Sequence, residues 1–153
     1  MNDGLGKKAE QKIKEWLDRP DEGFCLDRLP DQMNGFVGSK NPCDFTLYKY
    51  PYKYYIESKA TWADRFDFSM ISDFQYTSLL EKSKIHGVYG YVIVLFASAK
   101  RAFRIDINEI EKVKQSGKNS LNINKIDKWG INYDEIETIP SRKLLLDYTG
   151  GNW

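Results

Sequence analysis

The feature that most constrains the fold is the run Tyr89-Gly90-Tyr91-Val92-Ile93-Val94-Leu95-Phe96, the most apolar stretch of the chain. Its length and its content of β-branched residues predict a buried central strand. The flanking patterns predict helices over 5–17, 72–85 and 106–115 and further strands over 24–29 and 101–107. This order of elements is typical of an α/β fold with a mixed β-sheet flanked by helices. The polar stretch 118–133 is predicted to be irregular.

Length and charge limit the classes of partner. With 153 residues the chain is predicted to form one domain over 1–153, and its 23 basic and 22 acidic residues leave a net charge of +1. A nucleic-acid surface would therefore have to be local, with acids and bases segregated in space. The chain has no run of 18 apolar residues and no signal-peptide pattern, which predicts a cytoplasmic protein without a membrane partner. Cys25 and Cys43 lack metal-ligand spacing and are predicted to be reduced thiols in or near the core.

A predicted β-hairpin brings two acids together. Aromatic and β-branched residues favour strands over 45–50 and 54–56, with Pro51 at the turn between them. A tight turn would place Asp44 directly opposite Glu57, and two facing like charges call for a cation between them. Two carboxylates, a backbone carbonyl and water suit Mg²⁺ best, with Mn²⁺ as the alternative metal.

The spacing of these acids matches a nuclease signature. Pro42, Asp44, Glu57 and Lys59 follow the PD-(D/E)XK pattern, with Cys43 between the proline and the aspartate. Glu57 and Lys59 point to the same face of a strand because side chains alternate. A solvated hairpin edge that carries charges explains these few residues equally well.

Two further polar residues have both an ordinary and a functional interpretation. Glu10 lies at the border of the apolar stripe of the first helix, where it can reach a site on the sheet or pair with Lys14. Gln75 completes the capping-box pattern Ser72-x-x-Gln75, which gives it a structural role to set against a catalytic one.

Basic and aromatic residues flank the hairpin. Lys40 ends a Gly-rich stretch over 30–40 that leads into Asp44, and Trp62, Arg65 and Phe66 follow Lys59. In the functional interpretation these side chains contact nucleic acid by stacking and by phosphate binding. In the alternative, Lys40 lies on a plain surface loop and the aromatic rings cover the sheet.

Several motifs in order resemble the RecU family of Holliday junction resolvases, within the restriction-endonuclease-like fold. The chain looks like a small, phage-type relative, with the resemblance over residues 5–106 and a weaker match over 142–148. The motifs that carry it are Gly6-Lys7-Lys8-Ala9-Glu10, Asp44-Phe45, Ile56-Glu57-Ser58-Lys59-Ala60, and Phe68-Ser69-Met70-Ile71-Ser72-Asp73-Phe74-Gln75.

The resemblance implies roles for the residues of the hairpin. Asp44 and Glu57 would bind the metal with help from the Ser58 carbonyl, and Lys59 would orient or activate the attacking water. Glu10 would support the metal or its waters. The implied chemistry is hydrolysis of a phosphodiester by in-line attack.

The resemblance also implies that Gln75 lies at the edge of the site and that the protein acts on four-way DNA as a homodimer. The sequence departs from the family in two places. Only residues 30–41 are available for the stalk that precedes the catalytic aspartate, and Asn41-Pro42-Cys43 replaces a threonine-rich segment. We therefore predict a Mg²⁺-dependent, structure-selective endodeoxyribonuclease. The alternatives are a PD-(D/E)XK nuclease that acts on linear duplex and a non-catalytic DNA-binding module.

Overall fold

The protein is built around a six-stranded mixed sheet. The computed structural model describes residues 4–30 and 41–136. Its helices are α1 (Leu5–Leu17), α2 (Asp73–Lys82) and α3 (Ile107–Gln115), and short 3₁₀ turns cover Pro20–Glu22, Phe68–Met70 and Ile123–Lys128. Its strands are β1 (Cys25–Arg28), β2 (Phe45–Lys49), β3 (Tyr52–Thr61), β4 (Arg65–Asp67), β5 (Val88–Phe96), β6 (Arg101–Asp106), β7 (Ser120–Asn122) and β8 (Asp134–Ile136).

The strand order of the main sheet is β1-β2-β3-β5-β6-β8. β3 and β5 are parallel and joined through α2, while the other neighbours are antiparallel. β5 lies inside the sheet and is buried from Gly90 to Phe96, which confirms the predicted central strand and the mixed α/β fold. A Cβ at Gly90 would lie 2.9 Å from the carbonyl oxygen of Leu79, so glycine allows α2 to pack closely on β5.

The sheet has an apolar core on each face. α1 covers one face with Ala9, Ile13, Trp16 and Leu17, all of them buried, and its bounds agree with the predicted helix. The opposite face packs against α2 and α3, whose buried side chains include Leu79. This two-sided burial fixes the register of β3 and β5, because a shift by one residue would move apolar side chains to the wrong face.

Several local predictions were wrong. Residues 118–133 are not irregular throughout, since β7 pairs with β4 and is anchored by buried Leu121 and Ile123. β8 was not predicted. α2 ends at Lys82 rather than near residue 85. Cys43 is a buried free thiol as expected, but Cys25 is exposed on β1.

Within residues 4–30 and 41–136, no helix has the length and apolar character needed to cross a membrane. The predicted match over 142–148 lies outside the described residues.

Candidate active site

The hairpin of β2 and β3 brings Asp44 and Glu57 together as predicted. Phe45, which follows Asp44, pairs with Ile56, which precedes Glu57. The Asp44 N–H donates to the Ile56 carbonyl at 3.1 Å. β2 begins only after Asp44, so the Asp44 carboxylate takes the place of a strand partner and accepts the N–H of Ser58 at 2.9 Å. This hydrogen bond fixes the Asp44 side chain beside β3.

Glu57 is a buried acid with one unsatisfied oxygen. Its side chain is 1% exposed, and Oε2 lies 2.9 Å from Nζ of Lys59, which confirms that the two side chains share a face of β3. Oε1 is buried and has no hydrogen-bond partner among the described residues. Burial, with the charge of Asp44 as a second cause, raises the pKa of Glu57 to about 7, although Lys59 opposes the shift. Burial therefore makes the charged form of Glu57 costly unless a further cation approaches it.

Asp44 is held in a similar electrostatic environment. Burial raises the pKa of Asp44, and the Glu10 carboxylate acts in the same direction. The hydrogen bond from Ser58 and the charges of Arg28 and Lys59 lower it. Glu10 thus lies close enough to influence Asp44, which agrees with the functional one of its two interpretations.

Arg28 connects Glu10 to the hairpin. Its Nε lies 2.7 Å from Glu10 Oε1, its Nη2 lies 3.2 Å from Glu10 Oε2, and the same Nη2 lies 3.9 Å from Asp44 Oδ1. Nη1 also donates to the carbonyl oxygens of Leu29 and Asp44. The ordinary interpretation of Glu10, a helical pair with Lys14, is replaced by this contact between α1 and β1.

Sequence reasoning missed Arg28. The only local signal was a basic residue near the end of the strand predicted over 24–29. Its proximity to Asp44 depends on the pairing of β1 with β2, in which Arg28 is the partner of Phe45. That pairing joins segments separated by more than fifteen residues of chain.

The side chains of this site provide few ligands for a metal ion by themselves. The described residues contain no group of three or more His, Cys, Asp or Glu side chains arranged to hold a metal ion. Asp44 and Glu57 are two acids whose charges act on each other here. In a β-ladder the N–H and C=O of one residue face the same neighbouring strand, so the Ser58 carbonyl is directed to the side of Asp44. A hard divalent cation suits these oxygens, and the unsatisfied Oε1 of Glu57 is the atom that most needs it.

Gln75 lies in the first turn of α2 and is half-buried. Its N–H donates to Ser72 Oγ at 3.2 Å, which confirms Ser72 as the helix cap but not the reciprocal bond that a capping box would add. Its side chain makes no hydrogen bond with another described residue. A catalytic role for Gln75 therefore stays a prediction.

The predicted DNA-contacting residues have different environments. Trp62 is 54% exposed immediately after β3, and Arg65 is exposed with its Nε 2.9 Å from Asp67 Oδ1. Phe66 is 0% exposed and packs edge-on against Phe68, so the prediction that Phe66 stacks on nucleic acid is wrong. The alternation of β4 turns its ring into the core. Lys40 lies outside the described residues.

The fold is similar to that of a solved protein structure. The structure is similar to Hjc, a Holliday junction resolvase from Archaeoglobus fulgidus, with a TM-score of 0.54 and 17% sequence identity over 78% of this chain and 89% of that chain. Together with the two-sided mixed sheet, this similarity shows a restriction-endonuclease-like fold. A comparison with curated proteins found no relative of similar sequence.

The sequence profile of the family described as Recombination protein U matches residues 30–149. The chain therefore belongs to the RecU family of Holliday junction resolvases, as its motifs predicted. The matched range contains Asp44, Glu57 and Lys59. It begins after Glu10 and Arg28, so the profile does not cover these two residues, and their place beside Asp44 rests on their contacts.

Proposed function

We propose that this chain is a Mg²⁺-dependent endodeoxyribonuclease that resolves four-way DNA junctions, formed as one domain over residues 1–153. The observation that carries the proposal is the cluster of Asp44, Glu57 and Lys59 on the β2–β3 hairpin of a RecU-family chain. Its buried, unsatisfied Glu57 oxygen has no structural explanation within the described residues and suits a ligand of a divalent cation.

Asp44 and Glu57 would hold the metal, with the Ser58 carbonyl as a third protein ligand. When bound, Mg²⁺ (or Mn²⁺) would lower the pKa of a bound water and withdraw charge from a phosphoryl oxygen. The Ser58 N–H holds the Asp44 carboxylate in place. These protein groups are already oriented in the structure, so little reorganisation is needed when substrate arrives.

Lys59 would supply positive charge to the reacting phosphate. Its ammonium lies 2.9 Å from Glu57 and its side chain is 20% exposed, so it is partly shielded yet accessible from the surface. From there it can orient the attacking water and offset the charge that develops on the scissile phosphate. Gln75 would act at the edge of this site.

Arg28 and Glu10 would act as positioning residues. The two-pronged contact of Arg28 with Glu10 ties α1 to the strand that precedes the hairpin, and the same guanidinium neighbours Asp44. Such supporting contacts fix the orientation of metal ligands. Trp62, Arg65 and Lys40 would contact DNA around the site.

Resolution of a junction requires cuts in two strands related by symmetry. We propose that two copies of the chain supply the two sites, because a two-fold dimer matches the approximate symmetry of a four-way junction. Paired nicks at symmetric positions follow from this arrangement.

The direct test compares a labelled four-way junction with a linear duplex of matched sequence, each with Mg²⁺ and with EDTA. We expect paired symmetric nicks in the junction alone, abolished by EDTA and by Asp44→Asn at unchanged circular dichroism. Equal cleavage of both DNAs would indicate a duplex nuclease of the same fold. Binding without cleavage under Mg²⁺ or Mn²⁺ would indicate a non-catalytic module, and cleavage by Asp44→Asn at the wild-type rate would refute the proposed site.

A further inference from the structure

A second polar feature of the described chain lies beyond the hairpin. It is a cleft of about 450 Å³ beside β4 and β7, which we call the basic cleft. No Asp or Glu belongs to its described lining. Its charged and amide side chains are Arg65, Lys118, Lys125, Lys128, Asn119 and Asn122.

The charges of the basic cleft are largely uncompensated. The side chains of Lys118, Lys125 and Lys128 are exposed and form no ion pair with another described residue, while Arg65 pairs with the exposed Asp67. The chain as a whole carries a net charge of only +1. Acids and bases are therefore segregated in space, which is the arrangement that a local polyanion site requires.

A second cleft of similar size shows the contrast. Its volume is about 460 Å³, and three acids and two bases line it: Asp106, Glu109, Asp134, Arg104 and Lys112. Arg104 pairs with Asp134, and Lys112 Nζ lies 2.8 Å from Glu109 Oε2. Both bases of this cleft are paired with acids and a third acid remains, so a polyanion gains little there. Volume alone does not distinguish the two clefts, whereas charge does.

The basic cleft rests on a fixed scaffold. β4 pairs with β7 so that Phe66 faces Leu121 in the core, and the alternation of a strand turns their neighbours Arg65 and Asn122 away from it. The segment after β7 is closed by the indole N–H of Trp129, which donates to the Asn122 carbonyl at 2.8 Å. A site held in this way loses little conformational entropy on binding.

The basic cleft lies within reach of the candidate active site. β4 follows directly from β3, and Arg65 lies six positions after Lys59. An extended chain of that length spans at most about 20 Å. At 3.4 Å per base pair, this corresponds to about six base pairs of duplex. One duplex arm can therefore contact both places.

We propose that the basic cleft binds the phosphodiester backbone of the duplex arm whose scissile phosphate lies at Asp44 and Glu57. The inference rests on the proposed function and adds a binding site for phosphates remote from the bond that is cut. Lysine ammonium groups neutralise phosphates and release their counterions, and amides such as Asn119 can donate to phosphate oxygens. The cleft positions the arm and takes no part in the chemistry.

The test measures the salt dependence of binding. The variant Lys118→Gln/Lys125→Gln/Lys128→Gln is compared with wild type on the four-way junction in EDTA, between roughly 50 and 200 mM salt. Each lost phosphate contact makes the slope of log binding constant against log salt concentration shallower by about 0.9. We therefore expect the slope of the triple variant to be shallower than that of wild type by about two to three. The matched control is Lys49→Gln/Lys53→Gln/Lys84→Gln, which removes three charges at the opposite end of the sheet and should change the slope by less than about one.

A slope that is unchanged, or that falls equally in the two triple variants, would overturn the inference. Because binding is measured without metal, the result does not depend on cleavage. If wild type cuts no DNA, the proposed function fails while the slope still decides the role of the cleft.

Discussion

The buried acid of the hairpin predicts a stability that depends on pH in a definite direction. The pKa of Glu57 is about 7 in the folded chain, against 4.5 for an unperturbed glutamate. Between these values the folded state binds a proton that the unfolded state releases, so a rise in pH favours unfolding. The difference of about 2.5 between the two pKa values corresponds to roughly 3 kcal/mol of folding stability. The metal-free protein loses this stability as the pH rises from about 4.5 to 7.

The variant Glu57→Gln removes this term. In EDTA, the free energy of unfolding of wild type relative to the variant should fall by about 3 kcal/mol between pH 4 and pH 8. The ion pair with Lys59 needs no separate correction, because Lys59 lowers the pKa of Glu57 and its effect is already part of the value of about 7. The same variant should lose cleavage, so it would be more stable and inactive at neutral pH.

The assay is urea unfolding followed by circular dichroism at several pH values, in EDTA. Glu81→Gln is the matched control, because Glu81 is an exposed acid paired with Lys84. The free energy of unfolding of this control should stay within about 0.5 kcal/mol of wild type at every pH. The argument that burial raises the pKa of Glu57 is refuted if the difference in free energy of unfolding between wild type and Glu57→Gln changes by less than about 1 kcal/mol from pH 4 to pH 8.

Three further predictions follow from individual contacts. Arg28→Gln and Glu10→Gln should each slow cleavage by about 10- to 100-fold, because each removes one side of the contact between α1 and β1. Single-turnover rates similar to that of wild type would contradict a positioning role. In urea unfolding, Phe66→Ala should destabilise the fold by about 3–5 kcal/mol, whereas Trp62→Ala should leave stability nearly unchanged. In titrations of labelled DNA, Trp62→Ala should weaken binding by about 1–3 kcal/mol. Gly90→Ala should cost about 1–3 kcal/mol in urea unfolding because its Cβ would press on the backbone of α2, and an unchanged midpoint would show that the helix can shift freely.

The parts of the site that were predictable are those encoded by local pattern. The β2–β3 hairpin contains Asp44, Glu57 and Lys59 within sixteen residues, and the alternation of a strand is enough to place them on one side. α1 was equally readable, because its apolar stripe repeats with the helical period over three turns.

The parts that were missed depend on contacts between distant segments. Arg28 reaches Asp44 only because β1 adds to the edge of β2, and no local pattern reports that pairing. The burial of Phe66 has the same cause, since a three-residue strand is too short to show a period and its partner Leu121 lies more than fifty residues away. Polar composition concealed β7, whose anchoring depends on single apolar side chains.

The hydrogen bond from the Ser58 amide to the Asp44 carboxylate provides a spectroscopic reporter within the site. A proton on a backbone amide is sensitive to the charge of its acceptor, so the amide resonance of Ser58 should move as Asp44 gains a proton or binds a cation. This one resonance, followed by titration in a nitrogen-15-labelled sample, would measure metal affinity at Asp44 without DNA, without turnover and without any substitution.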